Sequence, residues 1–142
     1  MRVVTAQTDS SPKRIGRSIL AVAVGFIVVV VLSIGSDEAL RAAGIFPALG
    51  HPMSNPLFLL ATVYRTLYGV LGGYVTARLA PQKPMNHALV GGAIGFVLSI
   101  AGAAMAWNRP EFGPHWYPLA LVITALPSAW LGGKLAEASK SI

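Results

Sequence analysis

Four apolar stretches govern what this chain can fold into. Each is close to the ~20 residues that an α-helix needs to cross the ~30 Å hydrocarbon core of a bilayer. They run over about 15–35, 57–79, 87–107 and 117–136. The first holds Val28-Val29-Val30-Val31 and no charge after Arg17. Backbone polar groups in lipid must be satisfied within the segment, so the stretches read as helices. None alternates polar with apolar residues as a barrel strand would. The expected fold is all-α, an integral-membrane four-helix bundle over 15–136, with tails at 1–14 and 137–142.

Composition agrees. Of 142 residues, 54% are apolar and 11% charged, against ~25% charged in an average soluble domain. A soluble globule of this size has too much surface to cover with so few charges. Soluble globular, disordered and collagen-like chains are therefore excluded. Cysteine is absent, which removes disulfides, Cys-ligated zinc, iron–sulfur clusters and thiol catalysis. The net charge of +6 would raise nucleic-acid binding in a soluble protein. Here the basic residues sit at the ends of apolar runs and form no patch interleaved with aromatics, so no nucleic-acid partner is expected.

The basic residues are sorted by side. Arg2, Lys13, Arg14, Arg17, Arg78, Lys83, Lys134 and Lys140 fall on one side of the expected membrane, and Arg41 and Arg109 on the other. This asymmetry places both termini in the cytoplasm. Trp107, Trp116 and Tyr117 then lie at the outer boundary, where an aromatic belt belongs. Lys13, Arg14 and Arg17 ahead of an apolar run resemble a signal peptide. The run is long for one, and no clean cleavage site follows near Ser33-Ile34-Gly35. A retained first helix is expected.

The connections are uneven. Pro81-Gln82-Lys83-Pro84 separates segments two and three, and 108–116, with Pro110 and Pro114, separates three and four. Such short turns make neighbouring helices antiparallel. Pro84 and Asn86-His87 mark the start of segment three. Residues 36–56 are longer, and Ala39-Leu40-Arg41-Ala42-Ala43 either extends helix one or forms a short interfacial helix before Gly44 and Pro47. Pro127 inside segment four predicts a kink. Leu71-Gly72-Gly73 matches Leu131-Gly132-Gly133, and Leu32-Ser33-Ile34 matches Leu98-Ser99-Ile100. The matches raise a duplicated helical hairpin, although their offsets disagree.

Arg65 is the one basic residue that topology does not explain. Thirteen residues above Arg78, it lies roughly 20 Å up and about 10 Å below the outer surface. A charge there costs several kcal/mol unless it pairs or snorkels. Asp37 and Glu38, at the outer end of segment one, are the expected partners, with Tyr64 and Tyr68 in hydrogen-bonding range. Two readings follow. One is an ion pair locking helix one to helix two, the usual fate of such residues. The other is an anion or substrate site opening to the outer face.

Small residues four apart allow helix backbones to approach closely. Gly69 and Gly73, Gly91 and Gly95, and Ser128 and Gly132 have this spacing and are expected to pack helices within the bundle, with a homodimer or partner interface as the alternative. His51, His87 and His115 show no helical metal-ligand spacing, so neither metal nor cofactor is expected. No carboxylate pair lies mid-membrane, and no nucleophile triad or phosphate loop is readable. Small four-helix proton-coupled exporters match this chain in size but use an acidic residue within the first helix, and segment one has none between Arg17 and Gly35. No enzymatic activity is expected.

Tyr64-Arg65-Thr66, Leu71-Gly72-Gly73-Tyr74 and Ala77-Arg78-Leu79-Ala80-Pro81, with Gly113-Pro114-His115-Trp116-Tyr117-Pro118 further on, resemble a pattern in small uncharacterised four-helix bacterial inner-membrane proteins. The likeness covers segments two to four. It implies an inner-membrane location and no particular activity. The expected role is that of a structural or accessory subunit or scaffold. It would sit in the lipid bilayer against other membrane subunits or a second copy of itself. The alternative is a small oligomeric transporter or channel-like protein with an outer-facing site around Arg65.

Overall fold

Helix α1 covers Pro12–Ala42, α2 Asn55–Leu79, α3 Pro84–Ala106 and α4 Trp116–Lys140, with a single 3₁₀ turn at Pro110–Phe112. The computed structural model describes residues 12–49 and 51–140. Most of the expected tail at 1–14, and residues 141 and 142, lie outside the described residues. Among the described residues the chain is all-helical, and α1, α3 and α4 are long and apolar enough to cross a membrane. Of the four expected spans, α2 falls short of the other three in apolarity. That helix has 25 residues, enough to span, but Arg65, Arg78 and its threonines and tyrosines lower its apolarity.

Two boundaries differ from the sequence expectation. Helix α1 continues past Gly35 to Ala42, giving 31 residues and about 46 Å of length. It ends in a Schellman motif: Ile45 N–H donates to Leu40 O at 2.9 Å and Gly44 N–H to Arg41 O at 3.1 Å. Gly44 takes φ +78°, a left-handed conformation that glycine adopts without a Cβ clash. Ser36, Asp37 and Glu38 therefore ride on a rigid helix. At the other end, α4 runs to Lys140, so most of the expected C-terminal tail is helical. Helix α3 begins at Pro84 itself, since proline at the first helical position loses no bond the helix would have made.

The hairpins α1–α2 and α3–α4 associate mainly through α2 and α4, whereas α1 and α3 touch little. The packing is inside-out by the standard of a soluble protein. Ala21, Ala61, Ala77, Ala88, Ala129 and Ala136 are buried, while Ile19 (64%), Ile123 (70%) and Met105 (78%) are exposed. Water would penalise such a surface, whereas lipid tails are as apolar as leucine and leave close packing of small residues to hold helices together.

That packing is densest between α2 and α4. A Cβ built on Gly73 falls 2.8 Å from Ala129 O, one on Gly69 3.1 Å from Ser128 Cβ, and one on Gly132 2.5 Å from the Tyr74 amide nitrogen. Gly25 and Gly72 make a similar crossing of α1 and α2, and Gly92 packs α3 against Ala129. The expected packing role of Gly91 and Gly95 is corrected. A Cβ on Gly91 meets nothing within 4 Å, and one on Gly95 only the Phe26 ring at 3.9 Å. The contact face of α3 lies one residue away, at Gly92, because α4 approaches α3 from that side.

Both ends are tied by polar and aromatic contacts. At one end Arg14 Nη1 donates to Gln82 Oε1 at 2.8 Å, His87 Nε2 lies 2.8 Å from Ser18 Oγ, and Arg78 Nη1 donates to Ser139 Oγ at 3.3 Å. At the other, His115 stacks on Trp107 with ring centroids 3.8 Å apart, and Phe58 packs on Tyr117 at 4.9 Å. Gly113 (φ +101°) closes the turn before α4, and a Cβ there would fall 2.6 Å from the Phe58 ring.

Candidate functional site

The last turns of α1 and the N-terminal half of α2 face each other through polar groups. Asp37 accepts from both neighbours, Tyr64 Oη on one carboxylate oxygen and Arg65 Nη2 on the other. One residue earlier, Ser36 Oγ and Tyr68 Oη are 2.5 Å apart. The tilted rings of Tyr64 and Tyr68 lie 5.7 Å apart on the same face of α2. Helical spacing explains the grouping: residues 64 and 68 are one turn apart, with 65 beside 64. Of the expected partners of Arg65, Asp37 takes the role. Glu38 does not, because it points away from α2 and pairs with Arg41 on its own helix. Arg41 is further committed through its Nε to Pro47 O at 3.3 Å.

Arg65 stands between two cavities. A wide outer one, about 670 Å³, is lined by Asp37, Arg41, His51, Glu111 and Tyr117 among others. A narrower inner one, about 220 Å³, reaches into the bundle past Gly69, Gly91, Gly95 and Thr124. Arg65, Ser99 and Leu121 line both and so form the partition between them. The Arg65 side chain is 31% exposed and that of Asp37 22%. The pair is therefore neither buried in dry protein nor freely solvated. The Nε of Arg65 is fully buried and, among the described residues, has no hydrogen-bond partner. An orphaned buried donor costs about 1–3 kcal/mol.

The other sequence-selected groups fall elsewhere. His87 is held at the opposite end, between Ser18 and the Lys83 carbonyl. His115 Nε2 donates to Trp107 O, 2.9 Å away. His51 lines the outer cavity. Among the described residues no three His, Asp or Glu side chains gather as a metal site would require. Sequence reasoning missed Ser36, Ser99 and Tyr117. Ser36 adjoins Asp37, and Tyr117 was assigned to the aromatic belt and not to the site. Ser99 carries no local signal and reaches the site only through the course of α3.

Among the described residues, the fold and site together define an all-helical protein with three helices long and apolar enough to cross a membrane and a polar cluster set into the wall between two cavities. Comparison with protein-family models, with curated proteins and with solved structures finds no match.

Proposed function

We propose that this chain is a small four-span protein of the bacterial inner membrane, with both termini cytoplasmic, that binds a small anionic molecule at the outer face through Arg65. The supporting observation is the position of Arg65, whose buried Nε–H lacks an acceptor while its side chain lines both cavities. Guanidinium groups recognise oxyanions through several N–H bonds at once, and here Asp37 holds the group in place through Nη2. Helix α2 crosses the membrane despite its lower apolarity because α1, α3 and α4 all pack against it, as buried polar spans generally require. The reading involves binding and no catalysis.

A thermal-melting series of the purified protein in non-ionic detergent tests this reading. Acetate, phosphate or sulfate should raise the melting temperature of the native chain and leave Arg65→Gln unmoved. Equal shifts in both proteins, or none in either, sink the reading. A second reading, that of an accessory or scaffold subunit, draws on the Asp37–Arg65 pair as a lock between α1 and α2. A stoichiometric membrane partner retained through mild-detergent purification would favour it.

A further inference from the structure

Most of the wall of the inner cavity is carbon. Several of its side chains carry hydroxyls, yet three of these are already spent on their own helices. Thr66 Oγ1 donates to Thr62 O at 2.7 Å, Thr124 Oγ1 to Ala120 O at 2.9 Å and Ser128 Oγ to Thr124 O at 2.5 Å. Bonded back in this way, they have no hydroxyl proton left to offer a ligand. Phe26, Val29 and the Cα methylenes of Gly69, Gly91 and Gly95 supply apolar wall beside the hydroxyl-bearing Ser33, Thr76 and Ser99. An apolar cavity offers water too few partners and stays dry or takes hydrocarbon.

Glycine placement points the same way. Gly91 lines this cavity, but a Cβ there meets nothing within 4 Å. Helix packing therefore does not require glycine at this position, and in a helix it is less favourable than alanine. What glycine leaves there is open width. The cavity lies where α1 and α3 touch little, and the Arg65 side chain, which also lines the second cavity, caps one end of it. An apolar slot ending at an oxyanion-binding donor has the polarity profile of a lipid-like molecule.

Building on the outer-face site above, we propose that its ligand is a single-chain anionic amphiphile. The carboxylate or phosphate head accepts from the Arg65 guanidinium where it borders the cavities, and the unbranched alkyl tail lies in the slot beside Gly91 and Gly95. The head adds an acceptor without displacing Asp37 from Nη2. The tail exchanges water for an apolar wall, a gain that grows with each methylene buried.

The test compares laurate with butyrate, two carboxylates that differ only in tail length. Binding to the full chain, purified in non-ionic detergent, is read as adducts in native mass spectrometry. Laurate should bind one per chain and about ten-fold or more tighter than butyrate. Gly91→Leu, which fills the slot, should weaken laurate about ten-fold and butyrate much less. Arg65→Gln should weaken both. Should that variant lose its helical circular-dichroism signal, Gly91→Leu carries the test alone. Equal binding of the two acids, or laurate binding indifferent to Gly91→Leu, overturns the amphiphile and leaves the outer-face site standing. No Arg65-dependent binding of either acid overturns both. A parallel arm with 1-lauroyl lysophosphatidate separates the sources: tighter binding than laurate assigns a bilayer lipid, and weaker binding assigns a free acid.

Discussion

The α2–α4 seam and the α1–α3 seam are built from the same residue type and do opposite things. Between α2 and α4, glycine brings two backbones together, with Gly73 against Ala129 and Gly132 against the Val70–Tyr74 turn. Between α1 and α3, Gly91 and Gly95 border open space. A glycine four residues from another is therefore not in itself a packing motif. It removes a Cβ, and the neighbouring helix decides whether the vacated volume is filled by backbone or left as a cavity.

The largest effect that would sharpen this contrast is expected at Gly132. Gly132→Leu drives a side chain into α2 backbone, which cannot yield as a flexible side chain can. The loss should reach about 3 kcal/mol or more, seen as aggregation or a collapsed melting temperature in detergent. Near-normal melting of Gly132→Leu would break the contrast outright.

A smaller effect is expected across α1 and α2. Asp37→Leu leaves Arg65 without its anion and Tyr64 without its acceptor. Because both charged side chains keep some exposure, the cost should be about 2 kcal/mol, below the ~3–5 kcal/mol of a fully buried pair. Asp37→Leu combined with Arg65→Leu should recover much of it. A double variant no more stable than Asp37→Leu alone would show that the pair is not what couples the two helices.

At the α1–α3 seam the effects shrink. His87→Ala removes the contact with Ser18 and should cost about 1 kcal/mol in chemical denaturation. At Gly91 the sign reverses: Gly91→Ala meets no neighbour and should stabilise by up to ~1 kcal/mol through helix propensity, whereas Gly132→Ala should destabilise. Parallel changes at the two positions would erase the distinction. Topology is checked separately on the cysteine-free chain. A membrane-impermeant maleimide added outside intact cells should label Arg109→Cys and leave Lys83→Cys untouched.

The helices were legible because hydropathy over ~20 residues is a local property. The pairing of Arg65 was partly legible: helical rise alone puts Asp37 about 10 Å above Arg65, a gap that an arginine side chain spans, and a buried cation requires an anion. Three features were not legible. Glu38 is as close in sequence as Asp37, and only the rotation of α1 directs one toward α2 and the other toward Arg41. The length of α1 stayed open between an extension through residues 39–43 and a separate interfacial helix, and Gly44 at the left-handed cap position was the signal that decides for the extension. The contact face of α3 sits at Gly92 and not at Gly91, a one-residue difference, 100° around the helix, that composition does not resolve.

The sequence by itself determined that this chain is helical, that its spans are apolar and that one arginine sits where an unpaired charge is costly. These follow from how each residue and its near neighbours interact with lipid, water and their own backbone. The tertiary structure decided which glycines close a seam and which open a cavity, and it placed Arg65 at the partition between an outer vestibule and an inner slot. Those outcomes depend on the relative rotation of four helices, fixed by contacts between residues as far apart as Gly25 and Gly72 or Gly73 and Ala129.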